Sequence, residues 1–124
     1  MQYPDLEKVE LNNKILSPED FFAYNVESLY LDFSGSYDRS LPYPKITDDM
    51  KRQAIEAIEE MGEDGYPLTE ENAIGMPWVY MGEGAGLYDE VPEPWHYQGW
   101  KKLRPIIDDI ETQLFDLEEE FRAW

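Results

Sequence analysis

A glycine-rich segment is the first place where this sequence could carry chemistry. Residues Gly82–Gly86 read GEGAG, which has the glycine content of a phosphate-binding loop. Such a loop needs a Lys and a Ser or Thr after its last glycine, whereas Leu87 and Tyr88 follow here. Glu83 would also repel a phosphate. We therefore interpret the segment as a flexible turn.

A single histidine, His96, is the second candidate, and the chain has no cysteine. Zinc sites draw on several nitrogen or sulfur ligands, which one histidine cannot supply. The serines of Phe33–Ser36 do not form a nucleophile elbow. The sequence favours a structural role for His96. It predicts no catalytic residue, no metal and no cofactor, and therefore a protein that is not an enzyme.

Carboxylates are the remaining reactive groups, with 28 Asp and Glu against 10 Lys and Arg and a net charge of −18. Residues 1–52 hold ten acids and six bases, whereas residues 53–124 hold eighteen acids and four bases. Catalytic carboxylates need burial to shift their pKa, but a dense acidic surface stays solvated. Such a chain repels nucleic acid and anionic lipid, and it attracts cationic proteins.

Length and hydropathy define the class of protein that carries these groups. The 124 residues, 42% hydrophobic and 15% aromatic, predict one acidic domain over residues 1–124 with its own core. No apolar stretch approaches the length of a membrane span. Residues 1–10 hold three acids and no apolar run, unlike a secretory signal. We expect a cytoplasmic protein, located in the host cytoplasm if it is phage-encoded.

Two amphipathic helices are expected to form the framework. The first spans about 48–61, with Thr47 as N-cap and Gly62 as the C′ residue. The second spans about 105–123, with Pro105 at its first position. Spacings of three and four define one apolar stripe on each helix. These stripes contain Met50, Ala54, Ile58 and Met61 in the first helix, and Leu103, Ile107, Ile110, Leu114, Leu117, Phe121 and Trp124 around the second.

Shorter elements complete an expected α+β fold. Ser17 and Thr69 are predicted to cap two short helices, the latter ended by Gly75. Alternating apolar residues predict strands at residues 27–33 and 78–81, and residues 9–16 a hairpin. The helices would pack with this short antiparallel sheet. Residues 82–100, rich in glycine, acids and aromatic residues, would form a long loop.

Clustered acids and aromatic residues are the predicted partner-binding site. Two packed acidic helices would approach the charge density of a nucleic acid, and Tyr and Trp often anchor interfaces. In size, acidity and aromatic content the chain resembles phage and bacterial DNA-mimic proteins, including anti-restriction and anti-CRISPR inhibitors. The site comprises Glu56, Glu60, Glu63, Asp64, Glu70, Glu71, Tyr88, Asp89, Glu90, Trp95, Tyr97, Asp108, Asp109, Phe115, Asp116, Glu119 and Glu120.

The resulting hypothesis is a stoichiometric inhibitor that blocks the cationic nucleic-acid-binding surface of a nuclease or of a CRISPR or restriction complex. An immunity protein or antitoxin against a cationic toxin is the alternative, and a non-enzymatic acidic structural or adaptor module is the second. No direct binding to nucleic acid or membrane is expected. The stripe of the second helix allows either a monomer or a homodimer.

Overall fold

Helices make up most of the chain that the computed structural model describes, namely residues 14–34, 42–75 and 97–122. They are α1 (Pro18–Ser34), α2 (Asp48–Glu63), α3 (Glu70–Gly75) and α4 (Gln98–Arg122). Across these three ranges there is no strand, and the β-type pairing is one isolated antiparallel bridge between Ile15 and Thr69. The prediction of an α+β fold with an antiparallel sheet is therefore wrong.

Helix α1 explains most of that error. It begins as predicted, because the Ser17 hydroxyl accepts a hydrogen bond from the backbone N–H of Asp20 at 3.2 Å. The helix then continues through residues 27–33, where a strand was predicted. Of residues 21–30, all except Tyr24 are buried. A helix that is buried on nearly all sides has no polar face, so a short apolar run fits a strand equally well.

The other predicted β segments have no counterpart in the fold as described. The strand at residues 78–81 lies outside the described residues, as does the hairpin apart from residues 14–16. These three residues pair with residues 68–70 instead. Leu16 donates its backbone N–H to the carbonyl of Leu68 at 2.8 Å, and Glu70 donates to Lys14 at 3.3 Å. This pairing joins the start of α1 to the start of α3.

The predicted start of α2 is confirmed, whereas its predicted C′ residue, Gly62, is wrong. The Thr47 hydroxyl caps the helix by accepting from the N–H of Met50 at 3.1 Å. The helix passes through Gly62, and the C′ residue is Gly65 with φ +102°. Tyr66 donates to Met61 at 2.9 Å, which closes the turn. Two glycines three residues apart left the end ambiguous in sequence, and only Gly65 adopts the left-handed conformation.

Helix α4 begins seven residues before the predicted start at Pro105, which lies inside the helix. An internal proline removes one backbone hydrogen bond. Trp100 and Leu103 precede it and are both fully buried, and the burial of two large apolar side chains outweighs that loss. Gln98 to Trp100 therefore belong to the helix and not to the predicted loop of residues 82–100. The part of that loop up to residue 96 lies outside the described residues.

The apolar stripes pack the four helices around one core. In α4 the stripe is confirmed for the fully buried Leu103, Ile107, Ile110 and Leu114, and Leu117 packs against the same core. The predicted stripe of α2 is confirmed as well. Trp124 and the side chain of Phe121 lie outside the described part of the stripe. Helix α1 contacts the other three helices, and α2 packs mainly on α4.

Polar contacts fix the direction of α2 and α4. Lys102, near the start of α4, lies 2.6 Å from Glu60, near the end of α2. Gln113, near the other end of α4, accepts from the N–H of Lys45 at 2.7 Å and donates to its carbonyl at 3.0 Å. The two helices therefore run antiparallel. The side of α4 that is turned away from the core is left open to solvent.

Candidate protein-interaction site

The C-terminal half of α4 carries a continuous acidic surface, which we call the α4 acidic face. Residues 108–120 contain seven acids and no Lys or Arg. Helical periodicity puts five of the acids opposite the apolar stripe, and these five are exposed. The other two flank the stripe and are half-buried. The exposed acids are Asp108, Asp109, Asp116, Glu119 and Glu120, and the flanking ones are Glu111 and Glu118.

Among the described residues, most of these exposed carboxylates have no cation beside them. Asp108 forms an ion pair with Arg104 at 3.0 Å. For Asp109, Asp116, Glu119 and Glu120, the described residues supply neither an ion pair nor a hydrogen bond. Glu119 and Glu120 also lie near the C-terminus of α4, where the helix dipole favours positive charge. The protein therefore maintains unfavourable negative charge at this end of the helix.

One aromatic side chain interrupts the α4 acidic face. Phe115 is 52% exposed, although it is large and apolar. Glu111 and Glu119 lie one helical turn on either side of it, at the spacing that brings side chains together. The face therefore combines fixed negative charge with an exposed aromatic group. Such a combination suits binding to a protein whose surface is basic and partly apolar.

The predicted acids of α2 have a different environment. Glu60 pairs with Lys102, and Glu56 lies 3.8 Å from Arg52, which also contacts Asp49 at 2.9 Å. Bases from α2 itself or from α4 thus lie beside Asp49, Glu56 and Glu60. The structure does not bring Glu56 and Glu60 together with the α4 acids as one unbroken acidic surface. Glu63 and Asp64 are exposed near the end of α2.

Other predicted site residues lie inside the fold or outside its described part. Glu70 is only 5% exposed and does not reach the surface, whereas its neighbour Glu71 is exposed. Tyr97 is half-buried, and its ring packs edge-on against Tyr66 with centroids 5.3 Å apart. Tyr97 therefore supports the core and is not an exposed anchor. Tyr88, Asp89, Glu90 and Trp95 lie outside the described residues.

Sequence reasoning omitted Glu111 and Glu118 from the site. Both belong to the base-free stretch, and counting charges along residues 108–120 would have included them. It also missed a groove beside α2 that brings Ile15 close to residues 66–68. No sequence pattern indicates that groove, because it depends on a contact between segments about fifty residues apart.

Glu19 and Tyr24, which both belong to α1 and lie outside the α4 acidic face, have shifted pKa values. The hydrogen bond and charge of Lys51, 2.8 Å away, lower the pKa of the Glu19 carboxyl. Burial raises the pKa of Tyr24, and the nearby carboxylates of Glu70 and Asp20 raise it further. Both shifts follow from packing around α1. They indicate no acid–base chemistry at the α4 acidic face.

Neither a metal site nor a membrane-spanning helix is present in the ranges that the structure covers. No cluster of three or more His, Cys, Asp or Glu side chains there is arranged to hold a metal ion. None of the four helices combines the length and apolar character of a membrane span.

Comparison of the chain with protein-family models, curated proteins and solved structures finds no match. The α4 acidic face must therefore be judged from its own charge and geometry.

Proposed function

We propose that this protein is an acidic inhibitor that binds the cationic nucleic-acid-binding surface of a nuclease or of a CRISPR or restriction complex, in place of the nucleic acid. The observation that carries the proposal is the α4 acidic face, where seven acids lie within thirteen residues without a base. An ordinary soluble surface mixes both signs of charge. A surface that excludes positive charge is suited to a cationic partner.

Charge spacing supports the substitution of a protein helix for nucleic acid. Residues 108–120 extend about 18 Å along the helix axis, which gives one carboxylate per roughly 2.6 Å. Duplex DNA has one phosphate per about 1.7 Å of axis and a single strand one per about 3.4 Å. The α4 acidic face therefore matches a single phosphate row more closely than a duplex. On α2, the pairing of Glu56 with Arg52 and of Glu60 with Lys102 leaves fewer carboxylates for a second acidic row.

Phe115 gives the proposed complex its stability after encounter. Electrostatic attraction accelerates association but is screened by salt, whereas a buried aromatic side chain slows dissociation. In this proposal the protein acts by occupying a surface and performs no catalysis. Its place of action is the cytoplasm, where such targets work.

A competition experiment tests this function. The wild-type protein is immobilised, nuclease-treated lysate is passed over it, and each retained protein is purified. Labelled nucleic acid is then bound to that protein and displaced with the inhibitor. We expect the wild type to displace it at a one-to-one ratio. The variant D109N/D116N/E119Q/E120Q should need at least about 10-fold more protein, because it loses the unpaired charges.

A matched variant separates surface geometry from total charge. D48N/E56Q/D64N/E71Q removes the same number of exposed acids from α2, from the residue that follows it and from α3, and it has the same net charge. We expect it to compete within about 2-fold of the wild type, because it leaves the α4 acidic face intact. Equal losses in both variants would mean that only total charge matters. Failure of the wild type to displace nucleic acid from any retained protein would refute the inhibitor function.

A further inference from the structure

A groove on the opposite side of α2 from α4 has a different character from the α4 acidic face. It is a cavity of about 450 Å³ lined by the start of α1, the last turns of α2 and the turn that follows. Its apolar wall includes Ile15, which is 66% exposed, and the half-buried Leu68. Two exposed carboxylates, Glu59 and Glu63, stand at its edge. We call this cavity the α2 groove.

Backbone contacts hold the walls of the α2 groove in place. The hydrogen bond from Leu16 to the Leu68 carbonyl fixes the position of Ile15 beside the turn. The turn itself is closed by the bond from Tyr66 to Met61. Gly62 allows the close approach of Leu68, whose Cδ1 would lie 3.1 Å from a Cβ at that position. The walls of the groove are thus held by contacts within the fold.

The two carboxylates are placed to act together on one cation. Glu59 and Glu63 are four residues apart, so they lie one above the other on the same side of α2. The described residues provide no ion pair or hydrogen bond to either carboxylate. Like charges at this spacing repel each other, and a cation between them relieves that repulsion. The apolar wall below them offers contact for a hydrocarbon chain.

We infer that the α2 groove binds one arginine or lysine side chain of a protein partner. Long basic side chains pack their methylene groups on apolar surface and extend their charge toward water. Here the stem would lie against Ile15 and Leu68, and the cationic head would reach Glu59 and Glu63. An arginine head can donate to both carboxylates at once. The choice of a cationic partner rests on the proposed function, but the groove is a separate contact point.

Binding of a small probe to the whole protein tests this inference. N-acetyl-arginine amide is titrated into the 15N-labelled chain, with N-acetyl-citrulline amide as an uncharged probe of nearly the same shape. We expect saturable shifts of backbone amides at Glu59, Gly62, Glu63 and Leu68 with the arginine probe and none with citrulline. E59Q/E63Q should weaken binding about 3- to 10-fold, through loss of two exposed charge contacts.

Two further variants make the result specific. I15S keeps the charge and removes apolar wall at an exposed position, so it should also weaken binding. D48N/D49N removes two exposed acids at the other end of α2 and should bind like the wild type. Equal shifts with citrulline, shifts centred on residues 108–120, or equal weakening by D48N/D49N would overturn the inference. Groove shifts that depend on protein concentration without probe would mean that a second copy fills it, which also contradicts the inference.

The outcome is independent of the competition experiment. The probe requires no macromolecular partner, so a groove that ignores arginine refutes this contact and leaves the α4 acidic face untouched. If the groove binds arginine but no nucleic acid is displaced, the inhibitor function is refuted and the assignment of the groove as an arginine-binding site is kept.

Discussion

Helices α2 and α4 pack side by side with similar apolar stripes, but they organise their charges in opposite ways. On α2, Arg52 lies between Asp49 and Glu56, and Lys51 reaches Glu19 on α1. On α4, the three bases near the start are followed by seven acids from residue 108 to residue 120. In the function proposed above, the lack of bases within residues 108–120 distinguishes the candidate binding surface on α4 from the acids of α2.

The two helices also differ in how their charges match the helix dipole. Helix α2 begins with Asp48 and Asp49, which the positive end of the dipole stabilises. Helix α4 has no acid in its first turn and carries Glu119 and Glu120 near its end. This reversed order costs stability, and the burial of the α4 stripe must compensate for it. A cost that the fold does not require is consistent with selection for binding.

The largest expected effect concerns the packing of α2 against α4, on which the comparison depends. A Cβ on Gly99 would lie 2.3 Å from the carbonyl oxygen of Ala57 and 2.5 Å from Cγ of Met61. Gly99→Ala must therefore push the two helices apart, at a cost of about 2 kcal/mol or more. Urea denaturation followed by circular dichroism measures the change.

Gly75→Ala is the control for that substitution. No atom of the described residues lies within 4 Å of a Cβ on Gly75, at the end of α3. Alanine also restricts the unfolded chain, so this variant should be neutral or more stable by about 0.5 kcal/mol. If Gly99→Ala were as stable as Gly75→Ala, the close contact between α2 and α4 described above would be incorrect.

Removal of acids should have smaller effects on stability, and these effects should have opposite signs on α4 and α2. E119Q/E120Q removes acids from the negative end of the α4 dipole and relieves repulsion between Glu120 and Asp116. It should stabilise the protein by about 1 kcal/mol. Glu60→Gln, which breaks the pair with Lys102, should destabilise it by about 0.5 kcal/mol. Thermal denaturation at low ionic strength measures both.

Salt provides the check on this pair of variants. Screening should reduce the advantage of E119Q/E120Q as the ionic strength rises toward 0.5 M, because exposed charges interact weakly within a short Debye length, about 4–5 Å there. A variant that gains nothing at low salt would show that the α4 acids are already compensated, and the contrast between α2 and α4 would disappear.

The smallest effect is the pH dependence of the contact between α1 and α2. Lys51 lowers the pKa of Glu19 below its ordinary value of 4.5, and Glu19 raises the pKa of Lys51 above 10.5. The lowered acid pKa contributes stability above pH 4.5, which is lost as the pH falls through the folded-state value. The raised lysine pKa contributes stability below pH 10.5, which is lost as the pH rises through its folded-state value.

Glu19→Gln should therefore be less stable than the wild type between these two limits and should approach it outside them. The comparison uses melting temperatures of both proteins from pH 3 to pH 11. Gln53→Glu, at an exposed position of α2 away from this pair, controls for a general effect of net charge. A constant difference between Glu19→Gln and the wild type across the whole range would mean that the ion pair is not its source.

Local signals in the sequence were sufficient for several parts of this fold. Thr47 and Thr69 both cap helices through their hydroxyls as predicted, with bonds of 3.1 Å to the residues three positions on. Hydroxyl caps act within a few residues, so their effect is visible without knowledge of the fold. The exposure of Phe115 followed from helical periodicity in the same way.

Signals that depend on neighbours distant in sequence were misread. The buried run in α1 was interpreted as a strand because nothing in residues 27–33 reveals that the other helices surround them. Glu70 was placed on the surface because acids usually are, yet the segment around Lys14 pairs with its backbone and it is buried. Tyr97 was read as an anchor, but Tyr66 holds its ring against the core.

The sequence by itself determined the charge, the apolar stripes and the base-free run of residues 108–120, because these are properties of residue type and helical period. Only the tertiary structure decided which acids form ion pairs with bases, since Lys102 and Glu60 are forty-two positions apart in the sequence. It also decided that α4 continues through Pro105 and that Ile15 meets Leu68 beside α2. Contacts between distant segments set these outcomes, and their free energy exceeds that of the local preferences they override.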